Sequence, residues 1–167
     1  MIKAVTASGQ TLNIQHIDDK TVLARFLTQK WGHDGVVVMG KVWGSKDLNS
    51  IAAYDENEQL LAVAGWTVKG DTLLLASIDS IFERNGVASV LIDAIVEHAK
   101  SLNAKRVRAV VTNDNFEAMR FYQRRNFRFT ALYVNAADAY RAIFQDTPKT
   151  GYYGIPIRDT LELELIL

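Results

Sequence analysis

The sequence predicts a single domain of mixed α/β (α+β) class, in which an antiparallel meander of strands precedes alternating strands and helices. Three observations predict this. Short apolar runs separated by polar turns fill the middle of the chain. The apolar period then changes to about 3.6 residues, and strand, helix, strand, helix and strand patterns follow one another. The length of 167 residues fits one domain, so we expect residues 1–167 to form it.

The first half of the chain predicts one helix among short strands. Thr11–Ile17 has a strand pattern, and Asp18 or Asp19 is expected to cap a helix that ends near Lys30. Turn residues then separate short apolar runs, as in an antiparallel meander with tight connections. The strands expected in this region are Val36–Met39, Ile51–Tyr54, Leu60–Val68 and Thr72–Ile81.

The second half changes to helical periodicity. The residues that predict an amphipathic helix by their i, i+4 spacing are Val87, Leu91, Ile95 and Ala99. The elements expected after it are a strand at Val107–Val111, a helix at Asn115–Arg125, and strands at Phe127–Val134 and Thr160–Leu167. The last strand alternates leucine with glutamate, which predicts one apolar face. It either completes the domain's own sheet or pairs across a homodimer.

Composition and charge exclude several classes of function. The formal net charge is zero, so neither nucleic acid nor an anionic membrane is an expected partner. The absence of cysteine excludes disulfides, thiolate metal sites and a cysteine nucleophile. His16, His33 and His98 are far apart in the sequence, so no metal site is expected. No apolar stretch suits a signal peptide or a membrane span, and we expect a soluble cytoplasmic protein.

The first candidate site is the junction between a strand and the amphipathic helix, at Ile81–Ala88. Unpaired N–H groups at a helix N-terminus attract anions, and Gly86 and the small Ala88 allow a phosphate to approach the backbone closely. The junction has neither the Gly-Lys-Ser/Thr of a P-loop nor the full set of glycines of a dinucleotide fingerprint. Taken alone, the pattern equally suits an ordinary strand-to-helix connection.

The second candidate site follows the next strand, at Thr112–Phe127. Cap-forming residues end that strand, and Asn115, Ala118 and Tyr122 fall near one face of the helix that follows. The phenylalanines within this helix are expected to pack in the core.

Together, the two stretches resemble the GNAT superfamily of acyl-CoA-dependent N-acyltransferases. Gly86 and Ala88 match the small-residue positions of its phosphate-binding motif, Gln/Arg-x-x-Gly-x-Gly/Ala. The residues that match its second motif, Asn-x-x-Ala-x-x-x-Tyr-x-x-x-Gly-Phe, are Asn115, Ala118, Tyr122 and Phe127. The resemblance is close from Leu73 to Val134. It implies the GNAT fold, a mixed central β-sheet with an antiparallel N-terminal meander, two splayed parallel strands and flanking helices.

Two residues depart from the family pattern. Glu83 stands where the family usually has glutamine or arginine, and the neighbouring Arg84 is expected to compensate for its charge at a phosphate. Asn126 replaces the usual glycine after the second helix, and asparagine tolerates the left-handed conformation better than most residues. The segment Gly154–Asp159 resembles the ending of one bacterial subgroup of the family, and the sequence assigns it no role.

The resemblance implies that acetyl-CoA, the usual co-substrate of the family, binds between the strands Thr72–Ile81 and Val107–Val111. Its pyrophosphate is expected on backbone N–H groups of residues 84–88, and Asn115 is expected beside the pantetheine arm. The residues that the resemblance assigns to cofactor binding are Ile81, Phe82, Arg84, Asn85, Gly86, Val87, Ala88, Ser89, Asn115, Ala118 and Tyr122.

The resemblance also implies catalytic roles. Tyr122 is the expected general acid, because a tyrosine is protonated at neutral pH and can donate to the leaving sulfur. Asp79 is the expected general base, acting through water, with Glu83 and His33 as alternatives. The residues expected to line the acceptor side are Trp31, His33 and Trp43, with Tyr54, Tyr152 and Tyr153 as further candidates. These aromatic side chains would equally suit a closed core.

The function implied by the resemblance is transfer of an acyl group, acetyl in the common case, from acyl-CoA to a primary amine. The amine belongs either to a small molecule or to a protein or peptide. A non-catalytic acyl-CoA sensor is the alternative from a different class. A homodimer is left open, and no metal is implied.

Overall fold

The secondary structure follows the predicted order, with two strands and one helix in addition. The computed structural model describes residues 1–82 and 85–167, so the predicted site residues Glu83 and Arg84 lie outside the described residues. The helices are α1 (Lys20–Trp31), α2 (Val87–Ser101), α3 (Phe116–Gln123) and α4 (Ala136–Ile143). The strands are β1 (Ile2–Val5), β2 (Thr11–Ile17), β3 (Val36–Val38), β4 (Lys41–Trp43), β5 (Asn49–Tyr54), β6 (Leu60–Lys69), β7 (Thr72–Ser80), β8 (Arg106–Thr112), β9 (Arg128–Tyr133) and β10 (Thr160–Ile166). Short 3₁₀ helices lie at Ser45–Asp47 and Tyr152–Gly154.

Within the described residues, eight strands form one sheet in the order β1-β2-β5-β6-β7-β8-β10-β9. Neighbouring strands are antiparallel except β7 and β8, which run parallel. β3 and β4 form a separate hairpin. An antiparallel first half joined to one parallel pair confirms the predicted fold class.

Helices cover both faces of the sheet. α1 buries Leu23, Phe26 and Leu27 against Ala52 of β5 and Val63 of β6. α2 and α3 contribute to a second and larger apolar cluster that contains other residues of β6, β7 and β8. The four apolar residues that predicted α2 are fully buried: Val87, Leu91, Ile95 and Ala99. In the part of the chain that is described, no helix is long and apolar enough to cross a membrane.

Local backbone chemistry sets the ends of the helices. The Asp19 carboxylate accepts a hydrogen bond from the N–H of Thr21 and caps α1, which ends where Gly32 has a left-handed φ of 83°. After α3 the chain turns at Asn126, whose φ is 65°. The prediction that asparagine replaces glycine in a left-handed position is confirmed.

The closing strand β10 lies inside the domain's own sheet, between β8 and β9. The prediction of one apolar face is confirmed, because Leu163 is buried in the larger apolar cluster and Leu161 and Leu165 pack against it. Glu162 and Glu164, which alternate with these leucines, are also buried, at 4% and 9% exposure. The Arg108 guanidinium lies 3.3 Å from one Glu162 oxygen and 2.6 Å from one Glu164 oxygen. The Tyr133 hydroxyl donates to Glu162 at 2.8 Å. Both carboxylates are therefore compensated by charge and hydrogen bonding, which makes their burial possible.

Candidate active site

β7 and β8 diverge at their carboxyl ends and leave a V-shaped cleft in the sheet. Their parallel pairing ends at Leu75 and Ala109. β7 continues to Ser80 alongside β6, whereas β8 continues to Thr112 alongside β10. Among the described residues, backbone N–H and C=O groups on the facing edges beyond this point have no strand partner across the cleft. Because such groups require hydrogen bonds, the cleft suits a ligand with an extended, amide-bearing chain.

A β-bulge in β7 lies where the two strands diverge. Leu75 and Ser77 face consecutive residues of β6, so Ala76 is the extra residue. A bulge bends its strand and increases the local twist, which accounts for the divergence from β8. It also sets the direction of the following side chains. Asp79 lies opposite Val63, a residue of the α1 cluster, and therefore faces the α1 side of the sheet.

The first turn of α2 is suited to an anion. Gly86 has a left-handed φ of 82°, a backbone conformation that favours glycine. The Asn85 side chain accepts a hydrogen bond from the N–H of Val87 at 3.1 Å. Other N–H groups of a first helical turn have no partner within the helix, and the helix dipole adds positive potential there.

The predicted cofactor residues around this turn differ in exposure. Ile81 and Phe82, just after β7, are 47% and 63% exposed. Apolar side chains of this size and exposure are suited to contact with a ligand. Ala88 and Ser89 are half-buried, and the Val87 side chain belongs to the core. Val87 can therefore contribute only its backbone to a binding site.

Asn115 occupies the N-cap of α3, at the carboxyl end of β8. Its side-chain oxygen accepts a hydrogen bond from the N–H of Ala118 at 3.0 Å. This bond uses one lone pair of the amide oxygen and leaves the NH₂ group as a donor. A contact between Asn115 and a pantetheine arm stays a prediction. Ala118 is half-buried against the larger apolar cluster.

Tyr122 lies in the last turn of α3 with its ring packed against Phe121 and Phe127, at centroid distances of 5.3 and 5.1 Å. The residue is only 5% exposed, and its hydroxyl has no hydrogen-bond partner among the described residues. Burial raises the pKa of the hydroxyl well above its usual value, and the nearby negative charge of Asp79 raises it further. Tyr122 is therefore protonated at neutral pH and has a hydroxyl ready to donate.

Asp79 lies near the end of β7, on the side of the cleft that faces α1. Burial raises the pKa of its carboxyl above the usual value, while the Lys30 ammonium and a hydrogen-bonding contribution from the Trp31 side chain act in the opposite direction. The charge of Asp79 contributes to the raised pKa of the Tyr122 hydroxyl, so the two predicted catalytic residues interact electrostatically. Sequence reasoning missed Lys30, whose proximity follows only from the position of α1.

The three predicted acceptor residues separate in the structure. Trp31, at the end of α1, is 53% exposed and lies beside Asp79. The His33 ring stacks on Phe144 with centroids 3.6 Å apart, so it makes a packing contact. Trp43 is half-buried and packs against the α1 cluster. Of these three residues, Trp31 is thus the one whose side chain interacts with Asp79, the predicted general base.

Residues 150–159, which follow α4, lie across the carboxyl end of β8. The Asn113 side chain accepts hydrogen bonds from the N–H groups of Arg158 and Asp159 and donates to the Pro156 carbonyl. The Asp114 carboxylate accepts a hydrogen bond from the N–H of Tyr152 at 2.9 Å. Sequence reasoning missed these anchoring contacts. The signal was the run of cap-forming residues after β8, which was interpreted only as helix capping.

Two of the histidines that are far apart in the sequence lie close together in the structure. His16 of β2 and His98 of α2 are far apart in the sequence, but their rings lie 4.4 Å apart between centroids. Trp66 packs edge-on against His98 at 4.7 Å. Among residues 1–82 and 85–167, no group of three or more His, Cys, Asp or Glu side chains could hold a metal ion. The histidine pair is thus a ring-packing contact beneath α2.

Comparisons with known proteins agree with this geometry. The protein YdhI of Bacillus subtilis (strain 168) is 29% identical over 142 residues, which cover 85% of this chain and 89% of YdhI. An IAA acetyltransferase from Bacillus cereus ATCC 14579 has a TM-score of 0.70 at 15% identity, covering 93% of this chain and 99% of its own. A GNAT family acetyltransferase from Elizabethkingia anophelis, solved with acetyl-CoA bound, has a TM-score of 0.67 at 16% identity, covering 93% of this chain and 98% of its own. The two solved structures support the fold.

The family assignment rests on the sequence match. Residues 20–127 match the model of the Acetyltransferase (GNAT) family. This region includes β7, β8, the first turn of α2 and the whole of α3. The chain therefore belongs to the GNAT acetyltransferase family.

Proposed function

We propose that this chain transfers an acetyl group from acetyl-CoA to a primary amine that attacks the thioester directly. The observation that carries the proposal is the cleft between β7 and β8, with Asp79 near the end of β7 and Tyr122 in the helix that follows β8. The Tyr122 hydroxyl has no partner among the described residues, and the charge of Asp79 adds to the effect of burial in raising its pKa. A protonated donor and a carboxylate acceptor are the two groups that an acyl transfer with two proton movements requires.

The choice of co-substrate rests on the shape and polarity of the cleft. The first turn of α2 suits a pyrophosphate, because Gly86 allows close approach and the helix terminus is positive. The facing edges of β7 and β8 suit the amide groups of a pantetheine arm. Acetyl-CoA bound in the Elizabethkingia anophelis neighbour supports the same choice. The thioester of acetyl-CoA supplies an activated carbonyl carbon.

Tyr122 acts as the general acid in the proposed reaction. The amine nitrogen forms a bond to the thioester carbon, and the carbon–sulfur bond then breaks. Tyr122 donates its proton to the departing sulfur, so CoA leaves as the neutral thiol, and the tyrosinate recovers a proton from solvent. Backbone N–H groups on the unpaired edge of β7 stabilise the negative oxygen of the tetrahedral intermediate.

Asp79 acts as the general base. An ammonium has no lone pair, so a proton must leave the amine before attack. Asp79 accepts this proton, directly or through one water molecule, and the nitrogen releases a second proton to solvent once its bond to carbon has formed. The raised pKa of its carboxyl makes it a stronger base than an exposed aspartate. Lys30 and Trp31, at the end of α1, act on this carboxylate by charge and by hydrogen bonding, and both favour its ionised form.

The experiment that tests the function measures thiol release from acetyl-CoA with a chromogenic thiol reagent. The acceptors are a panel of aromatic and aliphatic primary amines together with short peptides that carry a free N-terminus or a lysine. Calorimetry with acetyl-CoA and with desulfo-CoA measures binding separately. Amine-dependent thiol release is the expected result, and mass spectrometry of the product should show one added acetyl group.

Other outcomes would redirect the assignment. Turnover restricted to peptides would identify a protein acetyltransferase. Tight binding of acetyl-CoA without release of thiol for any acceptor would contradict the proposed transfer and favour an acyl-CoA sensor. Absence of acetyl-CoA binding would refute the proposed co-substrate.

A further inference from the structure

The three consecutive residues 113–115, which follow β8, make hydrogen bonds to three different segments of the chain. Asn113 holds the backbone of residues 156–159, and Asn115 caps α3. Asp114, between them, accepts a hydrogen bond from the N–H of Tyr152 at 2.9 Å. The mechanism proposed above uses Tyr122 and Asp79 but gives no role to Asp114. The contacts of Asp114 therefore need a separate explanation.

Asp114 is buried and only partly satisfied. The residue is 2% exposed, and its second carboxylate oxygen has no hydrogen-bond partner among the described residues. A buried carboxylate is expensive unless it makes strong contacts, so its bond to Tyr152 is a charge-assisted one. The helix α3 begins two residues later, and its positive N-terminus offsets part of the unfavourable burial.

The backbone at Gly151 packs directly on this carboxylate. A Cβ added at Gly151 would overlap Asp114 Oδ2, so any residue other than glycine would displace the segment. The Asp114 carboxylate and the backbone at residues 151 and 152 are therefore in direct contact, with no room for a side chain between them. Position 151 fixes the distance of this segment from the end of β8.

The anchored segment forms a tight turn, which we call the aromatic turn (residues 151–155). The N–H of Gly151 donates to the carbonyl of Ile155 at 2.9 Å, and the N–H of Ile155 donates to the carbonyl of Tyr152 at 3.0 Å. Tyr152 and Tyr153 form its tip and are 55% and 71% exposed. The two internal hydrogen bonds define the backbone path of the turn that carries these rings.

The aromatic turn lies at the mouth of the cleft. The Tyr153 ring is 6.0 Å from the ring of Phe116, the first residue of α3, which is 49% exposed. Asp114 and Phe116 both follow the carboxyl end of β8, where the two strands have diverged. The rings of Phe116 and Tyr153 are tilted by 58° to each other, and with the exposed Tyr152 they offer apolar surface to an incoming molecule.

We propose that Asp114 is a positioning residue, which anchors the aromatic turn so that Tyr152 and Tyr153 form one wall of the passage used by the amine. The acceptor class that fits this wall is a primary amine carried on an aromatic or apolar body. The proposal rests on the proposed acetyl transfer. Asp114 acts through the turn and does not touch the reacting atoms.

The test compares Asp114→Ala, Asp114→Asn and Gly151→Ala with Asp146→Asn as a matched control at an exposed aspartate. Steady-state rates are measured for phenethylamine and n-butylamine, and acetyl-CoA binding is measured by calorimetry. Amide hydrogen exchange at residues 150–156 reports on the turn without requiring activity. Each variant is compared with the wild type for kcat, for the KM of each amine and for the Kd of acetyl-CoA.

We expect Asp114→Ala to raise the KM for phenethylamine at least tenfold, with kcat and the acetyl-CoA Kd changed less than twofold. The KM for n-butylamine should change much less, and the Tyr152 amide should exchange faster. Asp114→Asn should recover part of the KM, because an amide oxygen can accept the same hydrogen bond. Gly151→Ala should reproduce the effect of Asp114→Ala while the carboxylate is retained. Asp146→Asn should match the wild type.

An unchanged amine KM in both Asp114→Ala and Gly151→Ala, in an active wild-type background, would overturn the role of Asp114 and leave the acetyl transfer intact. Equal increases for both amines, or an equal increase in the acetyl-CoA Kd, would also overturn it, because Asp114 would then support the cleft as a whole. Failure of the wild type to acetylate any amine would refute the proposed function, and the exchange data would still decide whether Asp114 anchors the turn.

Discussion

Replacement of Tyr122 by phenylalanine separates catalysis from stability. The substitution removes one hydroxyl from a side chain that is 5% exposed and leaves the ring contacts with Phe121 and Phe127 in place. A hydrogen bond to a charged group contributes about 1.5–3 kcal/mol. Loss of that bond to the departing sulfur should lower kcat by about 10- to 150-fold, since about 1.4 kcal/mol corresponds to a factor of ten.

The same substitution should not destabilise the fold. The Tyr122 hydroxyl has no partner among the described residues, so its removal takes away a buried polar group without breaking a protein hydrogen bond. The melting temperature of Tyr122→Phe should therefore equal or exceed that of the wild type. Thiol release under saturating acetyl-CoA gives kcat, and differential scanning calorimetry of the same samples gives the melting temperature.

Tyr133→Phe is the matched control, because it removes a hydroxyl that is used. The Tyr133 hydroxyl donates to the buried Glu162 at 2.8 Å. Its loss should cost about 1–2 kcal/mol of folding free energy, which corresponds to a melting temperature about 2–8 °C lower, with kcat unchanged. Activity of Tyr122→Phe within twofold of the wild type would refute the general-acid role. A fall in its melting temperature equal to that of Tyr133→Phe would refute the statement that the hydroxyl is unpartnered.

Two further predictions concern pH. Asp79 accepts a proton only when it is ionised, and burial raises the pKa of its carboxyl. As the pH is lowered, kcat/KM of the wild type should therefore begin to fall at a higher pH than it would if the base were an exposed aspartate. Asp79→Asn should lower kcat/KM at least about tenfold and remove this acidic limb, and an unchanged pH profile would place the base elsewhere. Burial and the neighbouring His16 lower the pKa of His98 below its usual value, so the unfolded chain binds a proton there before the folded chain does. The stability contributed by neutral His98 is complete above about pH 6.5 and is lost as the pH falls towards the folded pKa. The melting temperatures of the wild type and His98→Gln should therefore converge as the pH is lowered through this range. A constant difference between them would contradict the lowered pKa of His98.

Local signals in the sequence were sufficient for the elements that frame the cleft. α2 was predicted because its apolar positions recur on one face, and all four of them are buried. Asn126 was predicted to replace glycine because only the backbone conformation at that position mattered. The cap at Asn115 was predicted from its place between a strand and a helix. Such features depend on neighbouring residues, so a single sequence contains them.

Features that depend on distant partners were missed. The alternation of leucine and glutamate in β10 predicted one apolar face, but it did not show that the glutamates are buried too, where Glu164 meets Arg108 at a separation of 56 residues. The sequence pattern could not show that a cation would lie opposite. Similarly, His16 and His98 meet only because β2 and α2 pack together. α4 was also missed, although at eight residues it is as long as α3, which was predicted.

The position of β10 in the sheet has a consequence for the order of folding. β8, which forms one wall of the cleft, has only four registered pairs with β7 and seven with β10. Its register is therefore fixed mainly by a segment synthesised long after it, and pairings of such large sequence separation form slowly. The antiparallel meander has local pairings and can form early. The half of the protein that contains the cleft should consequently fold last, and during that interval the unpaired edges of β8 and β9 are exposed to other chains.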